Sequence, residues 1–394
     1  MAISLIANAG SATYKYGLFN GRKIIASYLY QKEGENIFTF CKNDGEKETI
    51  SQQQFENSLS DLKKREAAMM SEIGQIAFRV VHGGSVFTKP TFVTPSVIKS
   101  LEKLNHLAPL HNPFSLRLIK QAQKMYPQCK KLLVFDTSFH SGIEIENRTY
   151  PIPKDLQKKY GIRRYGFHGI VCESIVRQMG WRLSKRTIIC HLGSGCSVTA
   201  LLKGKSIDTS MGFTPLEGLV MGTRAGDLDP GLLVELEKKM GNRKLEEVLN
   251  KSSGLKALAG TSDMREILRK AEKGNRDANV AIEIFCKKAA KEIASQVVSL
   301  GGLDQIIFSG GIGENAPLIR QKICEYLKPL GVAIHQKRNQ KAKARKSFAK
   351  RFSKIRLSYV RADEQSEMAH QLQALLPGTI IPEPFLFSTS RWFY

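Results

Sequence analysis

The chain has 394 residues, of which 42% are hydrophobic and 24% charged, and it carries a formal net charge of +24 at pH 7. That length suits two ordinary domains better than one core, and no apolar run approaches the roughly 18 residues needed to cross a bilayer, which excludes a helical membrane protein. The seven cysteines are an odd set with no CxxC pair, so they suggest neither a disulfide framework nor a zinc site and are expected to be reduced thiols. The N-terminal stretch ISLIA has neither a basic leader nor a cleavage site, so a cytoplasmic location is expected.

Read from the start, IANAGSATYKYGLFNGRKIIAS, from Ile6, predicts a strand, a small-residue turn at Gly10-Ser11, a second strand, a turn at Gly21 and a third strand. A helical pattern follows over Pro95 to Asn105, then the strand-like run KLLVFDTS ending near Asp136. From Ile189 the chain reads ICHLGSGCSVTALLKGKSIDTS, which aligns without a gap to the first stretch when Ile6 meets Ile189. Its turns fall at Gly193-Ser194 and Gly204, so one β-meander is used twice. Asn279 to Ser299 is periodic like a buried helix, and the strand-like QIIFS precedes GGIGEN and a further helix.

An α/β protein of two related halves follows, with the cleft between them as the natural place for a ligand. Small residues in both turns let backbone N–H groups approach an anion. GGIGEN is neither a Walker loop nor a Rossmann fingerprint. Residues 336 to 356 contain ten Lys or Arg and no acid, a solvated surface or an anion-docking one, and they lack a nucleic-acid motif, so no specific nucleic-acid partner is expected.

The motifs NAGSATYK, RVVHGG, APLHNP, VFDTSFH, YGIRRYGFHG, HLGSGCS, DTSMGFTPLEGLVMGTRAGDLDPG, SDMR and GGIGEN span nearly the whole chain, and together they resemble the acetate kinase family. The resemblance implies two duplicated actin-like ATPase (ribonuclease H-like) domains around a central cleft. Domain I would comprise 1–137 with 364–394, on the acceptor and Mg²⁺ side, and domain II 138–363, on the nucleotide side. It also implies a homodimer, with ATP or ADP, and acetate or acetyl phosphate, as reactants. Asn8 and Glu364 are expected near Mg²⁺, with Mn²⁺ as its substitute, and Lys15 near the nucleotide phosphates. The catalytic set is Asp136, His168 and Arg224. Arg79 would hold the acceptor carboxylate, with Val81, Leu110, Phe167 and Pro215 as pocket walls. The nucleotide would lie against His191, Leu192, Gly193, Ser194 and Gly195, against Asp263, Met264 and Arg265, and against Gly311, Ile312, Gly313, Glu314 and Asn315.

The chemistry agrees with these residue types. Transfer between two anions needs alignment and charge neutralisation, which forked guanidinium groups supply. A carboxylate acceptor is already ionised at neutral pH, so Asp136 is expected to hold Mg²⁺ through water or to fix an arginine rather than to act as a base. The chain departs from the family pattern at Ala12, Phe78, Ile170-Val171-Cys172, Ser194 and Ala362-Asp363, and in its C-terminal extension PEPFLFSTSRWFY. Two other readings stay open: a propionate or butyrate kinase, and a non-catalytic basic binding protein.

Overall fold

The computed structural model describes residues 3–34 and 36–375, so the extension PEPFLFSTSRWFY lies outside the described residues. The chain divides into two units, one formed by the described parts of Met1–Ser141, Gly169–Ser174 and Asp363–Tyr394, the other by Gly142–His168 and Ile175–Ala362.

The first unit is built on eight strands: β1 (Ile3–Ala9), β2 (Thr13–Asn20), β3 (Lys23–Lys32), β4 (Phe38–Lys42), β5 (Glu48–Ile50), β6 (Ile73–Val80), β7 (Thr91–Phe92) and β8 (Lys130–Phe135). Their order is β5-β4-β3-β2-β1-β6-β8-β7, with β1 to β5 an antiparallel meander and β1, β6 and β8 parallel. The continuous apolar run of β1 fits a strand covered on both faces. On one face Ile6, Ala77, Leu132 and Val134 pack with Met368, Ala369 and Leu372 of the helix Glu364–Ala374. On the other, Leu5, Phe78 and Phe135 pack with Leu59 and Leu62 of the helix Ser58–Arg65 and with Leu116 and Ile119 of the helix Asn112–Met125. Each of the larger side chains, the two alanines aside, contributes about 1.5–3 kcal/mol on burial.

The second unit has five strands, β9 (Arg186–Leu192), β10 (Cys196–Leu202), β11 (Lys205–Thr209), β12 (Gln305–Ser309) and β13 (Arg356–Tyr359), in the order β11-β10-β9-β12-β13. It repeats the β3-β2-β1-β6-β8 portion of the first sheet: an antiparallel meander, then two strands parallel to its first member. The α/β architecture is thus duplicated within the chain, as the repeated meander predicts. Gly21 (φ 60) and Gly204 (φ 79) both occupy the left-handed region that tight hairpin turns require.

The two copies differ in register. Asn8 of β1 lies opposite Lys15 of β2, whereas His191, the residue aligned with Asn8, lies opposite Ser197. The gap-free alignment pairs Lys15 with Val198 instead, so the second hairpin is one residue tighter.

The helix Arg276–Leu300 starts at Asn275, whose side chain accepts from the Ala278 N–H, and it ends at Gly301 in the left-handed region. It buries Ala281, Ile282, Phe285, Ala289 and Ile293 at three- and four-residue spacing. GGIGEN follows β12 and precedes a helix, Pro317–Tyr326, as expected, and the motif is itself helical over Gly310–Asn315. Gly310 makes this abrupt start from β12 possible, since at φ 78 a Cβ there would lie 2.5 Å from the Leu192 carbonyl oxygen. Glu314 Oε1 then accepts from the Gly310 N–H at 3.0 Å and from the Ala362 N–H at 3.0 Å.

Arg320, on the following helix, is only 2% exposed. Its Nη1 donates to the Gly313 and Glu314 carbonyls at 2.8 Å each, and its Nε and Nη2 donate to Asn339 Oδ1 at 2.8 Å and the Asn339 carbonyl at 2.9 Å. The guanidinium also lies 5.3 Å from the Phe348 ring and 5.4 Å from the Tyr359 ring. The basic segment is thus folded around one buried arginine. Among the described residues no helix is long and apolar enough to cross a membrane, and all seven cysteines are free thiols.

Candidate functional site

In the first unit, four predicted residues, Asn8, Arg79, Asp136 and Glu364, meet at the carboxyl ends of the parallel strands, on the face covered by the helix Glu364–Ala374. Alternation along β1 puts Asn8 on the same face as Ile6, and Lys15 lies directly across from it. Arg79, near the end of β6, donates from Nε to Asp136 Oδ2 at 3.0 Å and from Nη2 to the same oxygen at 2.5 Å. Its Nη1 donates to Asn8 Oδ1 at 3.3 Å, and its Nη2 lies 3.8 Å from Glu364 Oε1. Asn8 Nδ2 in turn donates to Glu364 Oε2 at 3.4 Å.

Burial dominates the electrostatics here. The Asp136 carboxyl, 1% exposed, is pushed up to about 6 by loss of water, against the pull of Arg79, and Glu364 adds to the rise. Burial pulls the Arg79 guanidinium down, but Asp136 and Glu364 outweigh it and hold the group above its ordinary value. Two carboxylates share one arginine, and their oxygens with Asn8 Oδ1 are the hard donors that Mg²⁺ prefers.

The loop after Arg79 is held firmly. Ser115 Oγ donates to the Arg79 carbonyl at 3.1 Å, and Asn112 bonds both the N–H and the carbonyl of His82. Val81 is buried and Leu110 half-buried.

In the second unit, four separate segments converge. Ser309 of β12 pairs with His191 of β9, and Gly310 abuts Leu192, so 191–195 and 310–315 are neighbours. The Gly222 N–H donates to the Ser194 carbonyl at 3.1 Å, and a Cβ on Gly222 would lie 3.4 Å from Ser262 Cβ, which brings in the segment before Asp263. The turn carrying Arg224 is pinned by backbone bonds from Ser253, Leu255 and Lys256 to Thr223, Met221 and Gly222.

His168 sits in the left-handed region at φ 59, just before the helix Gly169–Met179. Its Nδ1 is 3.0 Å from Ser197 Oγ, and its ring centroid is 4.7 Å from that of His191. A Cβ on Gly195 would lie 3.2 Å from His168 Nε2 and 3.6 Å from Arg224 Nη1, so both groups close on this glycine. Arg224 Nη1 also donates to the Pro215 carbonyl at 3.3 Å. Phe167 is buried and Pro215 half-buried.

Other predicted nucleotide residues are less open. Leu192 and Met264 are buried. Asp263 caps the helix Met264–Glu272, and its carboxyl is pulled down to about 2 by Arg265, whose guanidinium folds back onto it at 2.7 Å. Around Gly311 the space is open.

Sequence reasoning missed Ser197, whose contact with His168 depends on the tighter hairpin. It also missed the group Tyr150, Arg164 and Glu217, in which Arg164 Nη2 donates to Glu217 at 2.5 Å and Tyr150 donates to the same carboxylate. This group braces the loop that leads to Arg224. The local signal for part of it is the adjacent Arg163-Arg164 in YGIRRYG. Nothing local marks Arg320 as buried.

The sequence profile of the acetokinase family matches residues 3–370. An acetate kinase from Brachyspira hyodysenteriae is 38% identical over 384 residues, covering 93% of this chain and 97% of that protein. Among solved structures, a propionate kinase from Francisella tularensis superposes with a TM-score of 0.90 at 34% identity, over 95% of this chain and 100% of that one. The acetate kinase of Porphyromonas gingivalis gives 0.85 at 32% identity, over 95% and 99%.

Proposed function

The chain belongs to the acetokinase family, and from that premise we propose that it transfers the γ-phosphoryl group of ATP to acetate, reversibly, giving ADP and acetyl phosphate. The observation that carries the reading is the meeting of His168 and Arg224 at Gly195, beside the glycine-rich backbone of 191–195 and 310–315.

An acetate oxygen forms the new bond to the γ-phosphorus as the bond to the β,γ-bridging oxygen breaks, and ADP leaves with that electron pair. In this reading Arg79 takes the acceptor carboxylate and Arg224 the phosphoryl oxygens. His168 donates from its ring as charge builds, with Ser197 orienting it. No base is required, because acetate is already ionised. Asp136 has a different task, holding the Arg79 fork in place. Asn8 and Glu364, with waters, would hold Mg²⁺ or Mn²⁺, which when bound neutralises charge on the phosphate oxygens. The excess of carboxylate over guanidinium in this cluster supports that assignment. Lys15, across from Asn8, would meet the nucleotide phosphates. Residues 191–195, 263–265 and 311–315 would carry the nucleotide. A cytoplasmic homodimer belongs to the same reading and rests on the family resemblance.

The likeness to a propionate kinase keeps a second acceptor in view, since one methylene is worth only about 1–3 kcal/mol in an apolar pocket. A hydroxamate assay for acyl phosphate across acetate, propionate and butyrate, with and without Mg²⁺, tests both readings. The highest kcat/KM is expected for acetate. A higher value for propionate moves the assignment there, and no product from any acid ends the kinase reading.

A further inference from the structure

The basic segment forms an open surface cavity of about 410 Å³ lined by the exposed Lys337, Arg338, Lys341, Lys343 and Lys346, together with Ala342, Ser347 and Phe348. No carboxylate lines it, and none of the five cations makes an ion pair among the described residues. Gathering like charges in this way raises the energy of the fold. Such an arrangement becomes favourable when an anion fills it.

The frame around these cations is fixed. Asn339 and Phe348 are buried against Arg320, the Arg345 N–H donates to the Tyr359 carbonyl at 2.8 Å, and the Phe348 N–H donates to the Leu357 carbonyl at 2.9 Å. The cations therefore project from a folded support, which limits the ordering cost of binding.

We propose that this cavity is a second anion site, separate from the transfer chemistry, that takes a compact oligophosphate. The volume suits a small ligand rather than an extended strand. The aromatic ring in its lining, Phe348, is 1% exposed and offers no face for a base to stack on. The shared chemistry is a chain of three or more phosphoryl groups, free or carried as the tail of a nucleotide.

The test is isothermal titration of the full chain with tripolyphosphate, in magnesium-free buffer because the probe chelates the ion, and with the nucleotide site filled by saturating ADP. One equivalent should bind, more weakly as salt rises. The variant Lys341→Ala/Lys343→Ala/Lys346→Ala should lose on the order of tenfold in affinity per lysine, with acetyl phosphate formation unchanged. The control Lys154→Ala/Lys158→Ala/Lys159→Ala should bind as the parent does. Lys→Gln versions of the first variant, which keep side-chain length, should repeat its loss if the alanine form folds poorly. A parallel titration with ATP in place of tripolyphosphate identifies the nucleotide tail as the source if ATP binds the same residues more tightly. The proposal fails if the parent binds nothing, if the control loses as much as the cavity variant, or if single-stranded RNA outcompetes tripolyphosphate at these lysines.

Discussion

The two meanders share a sequence pattern and a strand order, yet they put different chemistry at the same place. At the end of β1 the first copy gathers side-chain charge: Asn8, Lys15, Arg79, Asp136 and Glu364. At the end of β9 the second copy gathers backbone and imidazole: His191, Gly193, Ser194, Gly195, His168 and Ser197. The one-residue register difference accounts for much of this contrast, because side chains alternate faces along a strand. Ser197 shares a face with His191, whereas its aligned counterpart Tyr14 is buried in the first unit's core. Duplication supplied the scaffold, and a hairpin tightened by one residue changed which side chains it presents.

Breaking the second copy should have the largest effect. Arg224→Ala is expected to lower kcat for acyl phosphate formation by about 10³ or more, with the circular dichroism spectrum unchanged. In the first copy, Asp136→Ala strands the Arg79 guanidinium and should lower unfolding stability by about 3 kcal/mol, read from the urea midpoint.

The same carboxyl has a pH signature. Its value of about 6 in the folded protein lies above that of an ordinary aspartate carboxyl, so the native state holds the proton more tightly. The resulting stabilisation is full below about pH 4 and is lost as pH rises through about 6. Asp136→Asn should flatten the stability profile across that window.

Gly195→Ala tests the backbone character of the second copy, since its methyl would press on His168 Nε2 at 3.2 Å. A loss of about tenfold in kcat is expected, on the order of 1.4 kcal/mol. Ser197→Ala should cost least, about fivefold in kcat, and Ser197→Thr should recover part of it by restoring the hydroxyl.

The repeat, the strands and the motif positions were legible in the sequence because they rest on local patterns: apolar runs, glycine turns and conspicuous charged residues. Register was not. It is settled by how tightly each hairpin closes, and a gap-free alignment of the two copies conceals it. The departures Ile170-Val171-Cys172 are buried, Ile170 packing with Met368 and Leu372 in the first unit, while His168 Nδ1 lies 3.0 Å from Ser197 Oγ. GGIGEN, rich in glycine, is nevertheless helical, and Glu314 reaches back to accept from the Gly310 N–H.

Arg320 carries one more consequence, for engineering the chain. Its side chain grips the segment at Asn339 and Phe348 and, in the other direction, the carbonyls of Gly313 and Glu314. A dye or affinity label attached at Lys343, between those two grips, stands on a frame tied to 310–315. It would serve as a reporter for changes in that helix without being placed on it, whereas deleting Asn339 would cut the tie.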